Sequence, residues 1–462
     1  MSRLFSGLPS LNDLLEAAPL KGAIERFGRN RAVAETAQFL DRLRVQAQSA
    51  AQQAFHFTTQ DLAQRVARWI AATAPTGQRS VLNATGVLLP AGLMGPPLAA
   101  EAIDAMAHVA SAYQSGDQQA AVSSLVQKHS GFEQAFVFTS PSAALLATLA
   151  ALAGGRSIVL RRGELERDPQ ETAVDELARF AGVTLREVGS VNATELRDYE
   201  QSLEGSALVA YIELRHSTPS AARPDLAALA QLSTRYSVPL LADLGWTGIA
   251  DVSSYGLSQL TLRSARSAGI DLAIVRGHGL LGGPACGILA GRPDLIERVA
   301  AHPLAAVAKA GSPVLAGLAA TLQLYDAPDT VTQRVPLLEL VATSAENLKQ
   351  RAERLAPQIA AVTAVESAEV VATTDTLSGL SVPGSSLSGW GVAIKPAQST
   401  PLDFAAKLLA GTYAIQAAVE NDRVVLHLRS LAPKYDIALI DAIAALGAPS
   451  ESASSANQAT PA

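Results

Sequence analysis

The chain has 462 residues, enough for two or three domains and a large core, and its net charge of −6 argues against a surface given over entirely to nucleic acid. Composition is that of an ordinary helix-rich globular protein, 48% hydrophobic and 17% charged. A single cysteine, Cys286, excludes an internal disulfide framework; with no signal-peptide core and no run near the roughly 20 apolar residues that span a bilayer, a cytoplasmic protein with no membrane partner is expected.

Residues 3 to about 70 carry helical periodicity: LNDLLEA, AVAETAQFLDRLRVQAQSA and TTQDLAQRVARWIAA, the last with Thr58 or Thr59 as its cap. We read residues 1–75 as a helical domain. They hold nine Lys or Arg against six Asp or Glu, with Arg26, Arg29, Arg31, Arg42 and Arg44 close together. The cluster fits a solvated helix face, or a patch that holds RNA phosphates. Ala71 to Ser80, with Pro75 and Gly77, reads as a linker into an α/β domain over 76–310.

That domain opens with VLNATGVLL. Phe136 to Phe138 reads as a strand entering Thr139-Ser140-Pro141-Ser142 and an alanine- and leucine-rich helix. Ser140 is a natural N-cap and Pro141 suits the first turn, so the helix start offers free N–H groups to an anion, with hydroxyls of Thr139, Ser140 and Ser142 nearby. Plain capping accounts for the same residues. SIVLRRG, ALVAYIEL and VPLLADLG read as strands separated by helical segments, the rhythm of a doubly wound α/β fold. The last of them ends in Asp243.

Asp271 to Gly291, DLAIVRGHGLLGGPACGILAG, reads as strand, glycine-broken loop, strand. Cys286 lies between Ala285 and Gly287 in a run that looks buried and reads as packing, with a nucleophile the other reading. The helices SPVLAGLAATLQLYD and PLLELVATSAENLKQRAERLA lead into a C-terminal α/β domain over 311–448, with strands AVESAEVVA and GWGVAIKP, helix PLDFAAKLLAG and a hairpin turning at Asn421-Asp422. The Ser- and Ala-rich residues 449–462 read as a disordered tail. Seven scattered histidines and one cysteine form no metal constellation.

The capped helix, the strand ending in a carboxylate and the glycine loop are the parts of a pyridoxal-phosphate site, and in their order the chain resembles the bacterial selenocysteine synthases, the L-seryl-tRNA(Sec) selenium transferases. That loop in the family reads Ser-Gly-Asp-Lys-Leu-Leu-Gly-Gly-Pro, and here the frame reads Arg276-Gly277-His278-Gly279-Leu280-Leu281-Gly282-Gly283-Pro284. LPSLNDLL, VLNATGVLL, Arg162-Gly163-Glu164-Leu165, Glu187-Val188-Gly189 with Asn192, and DLIERVAAHPL extend the resemblance over about residues 8 to 447.

The resemblance implies an aminotransferase-like fold of type I, with pyridoxal phosphate as cofactor, tRNA held by the N-terminal domain and assembly as a homo-oligomer. It implies that Asp243 pairs with the cofactor's pyridine nitrogen; the helix start is where its phosphate would stand, and there Ser140 and Ser142 are the candidates although the family's Asn-Asn-Asn run is replaced. It also implies a lysine at the position of Gly279, and glycine has no amine with which to hold the cofactor.

Other departures cluster at the same place. Pro90-Ala91-Gly92-Leu93-Met94-Gly95 replaces His-Thr-Asn-Leu-Gly-Arg, Glu213-Leu214-Arg215-His216 replaces His-Thr-Ser-Asn, and Ala418 replaces an arginine. Trp246 replaces a small residue, with bulk enough to fill space beside the ring. Without a cofactor Asp243 is left to cap a turn or to face Arg276. His278 is the remaining candidate proton shuttle, and Lys309 a conceivable substitute amine. Two functions therefore stand open: a non-catalytic paralogue that binds tRNA or oligomeric partners, and an active selenium transferase.

Overall fold

The computed structural model describes residues 9–49, 58–72, 79–90, 92–93, 95–165, 172–212, 223–378, 386–411 and 413–447. The expected tail, most of the expected linker and the segment Glu213-Leu214-Arg215-His216 lie outside them. Twelve strands occur among the described residues: β1 (Val81–Ala84), β2 (Gln134–Phe138), β3 (Ser157–Arg161), β4 (Thr184–Val188), β5 (Leu208–Ile212), β6 (Leu240–Asp243), β7 (Leu272–Arg276), β8 (Gly287–Gly291), β9 (Val365–Thr376), β10 (Ser386–Pro396), β11 (Ala414–Glu420) and β12 (Arg423–His427).

The chain divides into two compact units. One comprises Val87–Ser344 and Thr374–Ser388, built on a seven-stranded sheet of order β2-β8-β7-β6-β5-β3-β4. Strands β3 to β7 run parallel, while β8 runs antiparallel to both its neighbours, β2 and β7. Alternation places Leu272 and Ile274 of β7 in one buried cluster and Ala273 and Val275 in another, so both faces of the sheet are covered. That is why these strands read as unbroken apolar runs. Leu315, Leu318 and Leu322, from the segment that the sequence assigns to the C-terminal domain, join the second of these cores.

The parallel strands end along one edge, where open α/β sheets carry their sites. Three fully buried strands end there in charge: β3 in Arg161, β6 in Asp243 and β7 in Arg276. The helix Pro141–Ala153 follows β2 with Ser140 as its N-cap, whose hydroxyl accepts the Ala143 N–H at 3.1 Å, and Pro141 in its first turn.

The other unit comprises Met1–Gly86, Ala345–Thr373 and Gly389–Ala462. Its N-terminal helices, Leu11–Glu16, Ala18–Phe27, Arg29–Ser49 and Thr59–Ala72, enclose a core of Leu14, Leu20, Leu62, Val66 and Ile70. Ser10 and Asp13 form a reciprocal capping box, and Thr58 caps the last helix through the Asp61 N–H at 3.1 Å. Of the clustered arginines, Arg29 is exposed and Arg31 half-buried, 3.9 Å from Glu35; the side chains of Arg26, Arg42 and Arg44 lie outside the description. Arg65 grips Asp441 with both carboxylate oxygens at 2.6 Å.

The sheet of this unit has the order β1-β11-β12-β10-β9, and the β11–β12 hairpin turns at Asn421 and Asp422, whose φ values of 48° and 58° are the left-handed pair such a turn needs. Arg351, 4% exposed, donates to the Leu428 carbonyl at 3.0 Å, to the Leu431 carbonyl at 2.6 Å and to Asp436 at 2.5 Å. Arg351→Met leaves two buried carbonyls without this donor, while Arg354 keeps Asp436 paired at 2.8 Å. A loss of about 3 kcal/mol is expected in urea denaturation followed by circular dichroism.

Candidate functional site

The site is assembled at the C-terminal edge of the seven-stranded sheet, around the ten-residue connection between β7 and β8. Its backbone is tied on every side. Gly277 N–H donates to the Cys286 carbonyl at 3.0 Å, Gly283 N–H to the Gly277 carbonyl at 2.8 Å, and Gly282 N–H to the Gly279 carbonyl at 2.9 Å. From outside the loop, the Trp246 carbonyl accepts the Leu280 N–H at 3.0 Å, and the Tyr325 hydroxyl donates to the Leu281 carbonyl at 2.9 Å. Gly282 has φ +71°, and a Cβ there would collide with Val335, so backbone shape and packing both demand glycine.

Gly279 differs. Its φ lies outside the left-handed region, so no backbone strain requires glycine there; what a side chain would meet is the backbone of Trp246, with the carbonyl oxygen 3.0 Å and the Cα 3.2 Å from an added Cβ. Such contacts are tight and need a shift of a few tenths of an ångström. The chain thus closes the position by bringing the Trp246 turn against it.

Asp243 and Arg276 meet below this loop. Arg276 Nη1 donates to Asp243 Oδ1 at 2.9 Å, with Nη2 3.4 Å from Oδ2. Asp243 is 4% exposed and Arg276 fully buried, and Oδ1 also accepts the Gly245 N–H at 3.0 Å. Of the two cofactor-free roles considered for Asp243, the structure contains both: a turn is capped and Arg276 is faced. The guanidinium carbon stands 5.5 Å from the Trp246 ring centroid, and His278 meets the same indole edge-on at 5.7 Å. Trp246 therefore links the arginine to the histidine, both of them on the loop or its entry.

Ser140 approaches from the other side. Arg276 lies opposite Gly287 in the β7–β8 register, and a Cβ on Gly287 would collide with the Ser140 carbonyl. The N-cap, Arg276 and Asp243 are thus neighbours in sequence-distant pieces. Ser140 is half-buried with its hydroxyl engaged in capping, Ser142 is half-buried and Thr139 exposed. His278 is half-buried and packs near Gly95 of the altered Pro90–Gly95 segment. Lys309 is exposed and bridges Phe138 beside the end of β2.

Cys286 is buried, and burial pushes its thiol up to about 12. Reaction with iodoacetamide at pH 8 is expected to be slower in the native protein than in urea by roughly three orders of magnitude, from thiolate fraction alone.

Residues that reading the sequence missed are Arg161 and Tyr325. Arg161 is fully buried, donates to Thr194 Oγ1 at 3.2 Å and the Val191 carbonyl at 3.1 Å, and sits near Glu164 and Tyr199 at the same sheet edge. The available signal was a charge closing an apolar strand, the pattern that VPLLAD and LAIVR share. Among the described residues no cluster of three potential metal ligands occurs, and no helix is long and apolar enough to cross a membrane.

Replacing Arg276 by Met strands a buried carboxylate and is expected to cost about 3–5 kcal/mol; combining it with Asp243→Asn should return much of that, in thermal denaturation of the three variants beside the unaltered chain.

Residues 81–432 match the family described as L-seryl-tRNA selenium transferase, and residues 5–44 match the selenocysteine synthase N terminal. A relative from Hyphomonas neptunium, an L-seryl-tRNA(Sec) selenium transferase, is 30% identical over 93% of this chain and 96% of its own. One from Moorella thermoacetica, under the same name, is 29% identical over 93% of this chain and 94% of its own. Among solved structures, a D-glucosaminate-6-phosphate ammonia-lyase superposes with a TM-score of 0.60 at 20% identity, over 81% of this chain and 98% of that one. The fold is that of the pyridoxal-phosphate-dependent enzymes of type I, with a helical N-terminus and a sheet-rich C-terminal part.

Proposed function

Because the chain belongs to the L-seryl-tRNA(Sec) selenium transferase family, we propose that it is a divergent member without lysine-held cofactor chemistry, kept as a cytoplasmic binding or oligomeric paralogue. The observation that carries this reading is Gly279, which the sequence frame sets at the family's lysine position and against which the Trp246 backbone stands close. A side-chain amine at this point would hold the cofactor and move protons after a serine hydroxyl leaves; glycine does neither. His278 has the chemistry to carry a proton but not to anchor an aldehyde.

The residues around it fit the cofactor poorly. Pyridoxal phosphate, when bound in this fold, supplies an electron sink through a protonated ring nitrogen facing a carboxylate. Asp243 is the residue for that contact, and it is engaged by Arg276. The helix start at Ser140 and Ser142 keeps the form of a phosphate cup, which supports the second reading, an active selenium transferase with a displaced amine. On the first reading the retained surfaces bind. Exposed Arg29, with the arginines clustered near it in the sequence, would suit tRNA phosphates, and further copies of the chain are the other partner.

The test is an absorption spectrum of the purified protein with pyridoxal phosphate, before and after borohydride, with peptide mapping. No imine band and no stoichiometric adduct is the expected result. An adduct on one lysine, Lys309 for instance, would overturn the proposal and locate the displaced amine. Salt-sensitive binding of seryl-tRNA(Sec) in the same preparation would identify the tRNA-binding form, and its absence with a sedimenting assembly the oligomeric one.

A further inference from the structure

The loop that carries Gly279 departs from the family's frame at its first residue as well, where Arg276 stands in place of serine. This second departure is not explained by loss of the amine. A lysine lost by drift leaves its surroundings free to vary, and nothing about a missing amine calls for a buried cation bonded to the carboxylate that would face the ring. Yet Arg276 is fully buried, and its guanidinium bonds the one carboxylate that the cofactor's ring nitrogen would use. A charge so placed is costly to bury unless its partner is fixed beforehand.

The register shows that Asp243 is fixed. β6 and β7 pair in parallel with Asp243 opposite Ile274, so Arg276 leaves its strand two residues farther along, where its side chain can turn back over the strand end. Gly245 N–H holds the carboxylate from below the turn, and the Trp246 ring lies within 5.5 Å of the guanidinium. A planar cation thus meets both a carboxylate and an aromatic ring, the two kinds of partner that a protonated pyridine ring would also seek. The chain supplies from its own sequence the positive charge that a ligand brings elsewhere in the family.

We propose that Arg276, paired with Asp243 and covered by Trp246, is an internal surrogate for the cofactor's ring cation, so that the site excludes pyridoxal phosphate through Arg276 independently of the missing lysine. The inference rests on the proposed function in placing the cofactor at Asp243, and it adds a specific consequence. Restoring the amine alone will not restore binding. Two substitutions on one loop act in series: Arg276 opposes the ring by charge and volume, and Gly279 removes the covalent anchor. Removal of the guanidinium leaves a buried carboxylate in need of a cation, and a pyridinium phosphate provides one.

The experiment compares the unaltered chain, Arg276→Ser, Gly279→Lys and the double variant. Two probes are used: pyridoxal phosphate, and 4′-deoxypyridoxine phosphate, which has the ring and phosphate but no aldehyde. The expected result is that the deoxy probe binds Arg276→Ser about 100-fold more tightly than the unaltered chain, the scale of one close charge pair. With pyridoxal phosphate, Gly279→Lys alone gives no borohydride-stable adduct at 279, and the double variant gives one. Equal binding of the deoxy probe to the unaltered chain and to Arg276→Ser would overturn the proposal, as would an adduct at 279 in Gly279→Lys as tight as in the double variant.

If Arg276→Ser folds poorly, its melting temperature with and without the deoxy probe decides. A rise confined to that variant supports the surrogate role, and no rise, or the same rise in the unaltered chain, sinks it. A lysine adduct elsewhere in the unaltered chain would count against the proposed function but not touch this comparison, since the deoxy probe needs no lysine.

Discussion

The buried pair of Asp243 and Arg276 is the constraint on which the rest of the site depends. Two charges drawn out of water at the ends of adjacent strands cost several kcal/mol each, and only close, multiply bonded geometry offsets that cost. Here the geometry is supplied by the sheet: β6 and β7 hold the two residues in register, the Gly245 amide adds a third bond, and an indole excludes water from one side. Trp246 is in turn tied to the loop through its carbonyl, which accepts from Leu280 and presses on Gly279. The pair, the tryptophan and the glycine are therefore one arrangement rather than three separate departures from a family pattern.

Much of this was legible in the sequence, and for identifiable reasons. Buried parallel strands are apolar on both faces, so β3, β5, β6 and β7 stand out as runs of apolar residues. Ser140-Pro141 announced a helix start because cap and first-turn preferences are local, and Asn421-Asp422 announced a hairpin because few residue pairs tolerate two left-handed conformations in succession. The loop stands out in sequence by its glycines, of which Gly277 and Gly282 sit where a Cβ would collide with Cys286 and Val335.

What was not legible is everything that depends on which pieces become neighbours. The spacing of 33 residues between Asp243 and Arg276 does not decide whether they touch, so capping a turn and facing the arginine were both open without a cofactor, and the structure contains both contacts. Tyr325 lies far along the chain from the loop whose carbonyls it binds, and nothing local marks it. The helices near Leu315 gave a helical pattern without saying against which sheet they pack. The resemblance to a family supplied the frame for Gly279, while the physical meaning of Arg276 came only from the fold.

The antiparallel seating of β8 between β2 and β7 has one more implication. Both ends of the connecting loop are anchored in a sheet and its middle is bonded to itself, so its path is held largely by backbone contacts. Shape and reactivity are thereby inherited separately. Such a loop behaves as a socket whose casing is held by the backbone, so that its fittings can be exchanged while the frame stays folded.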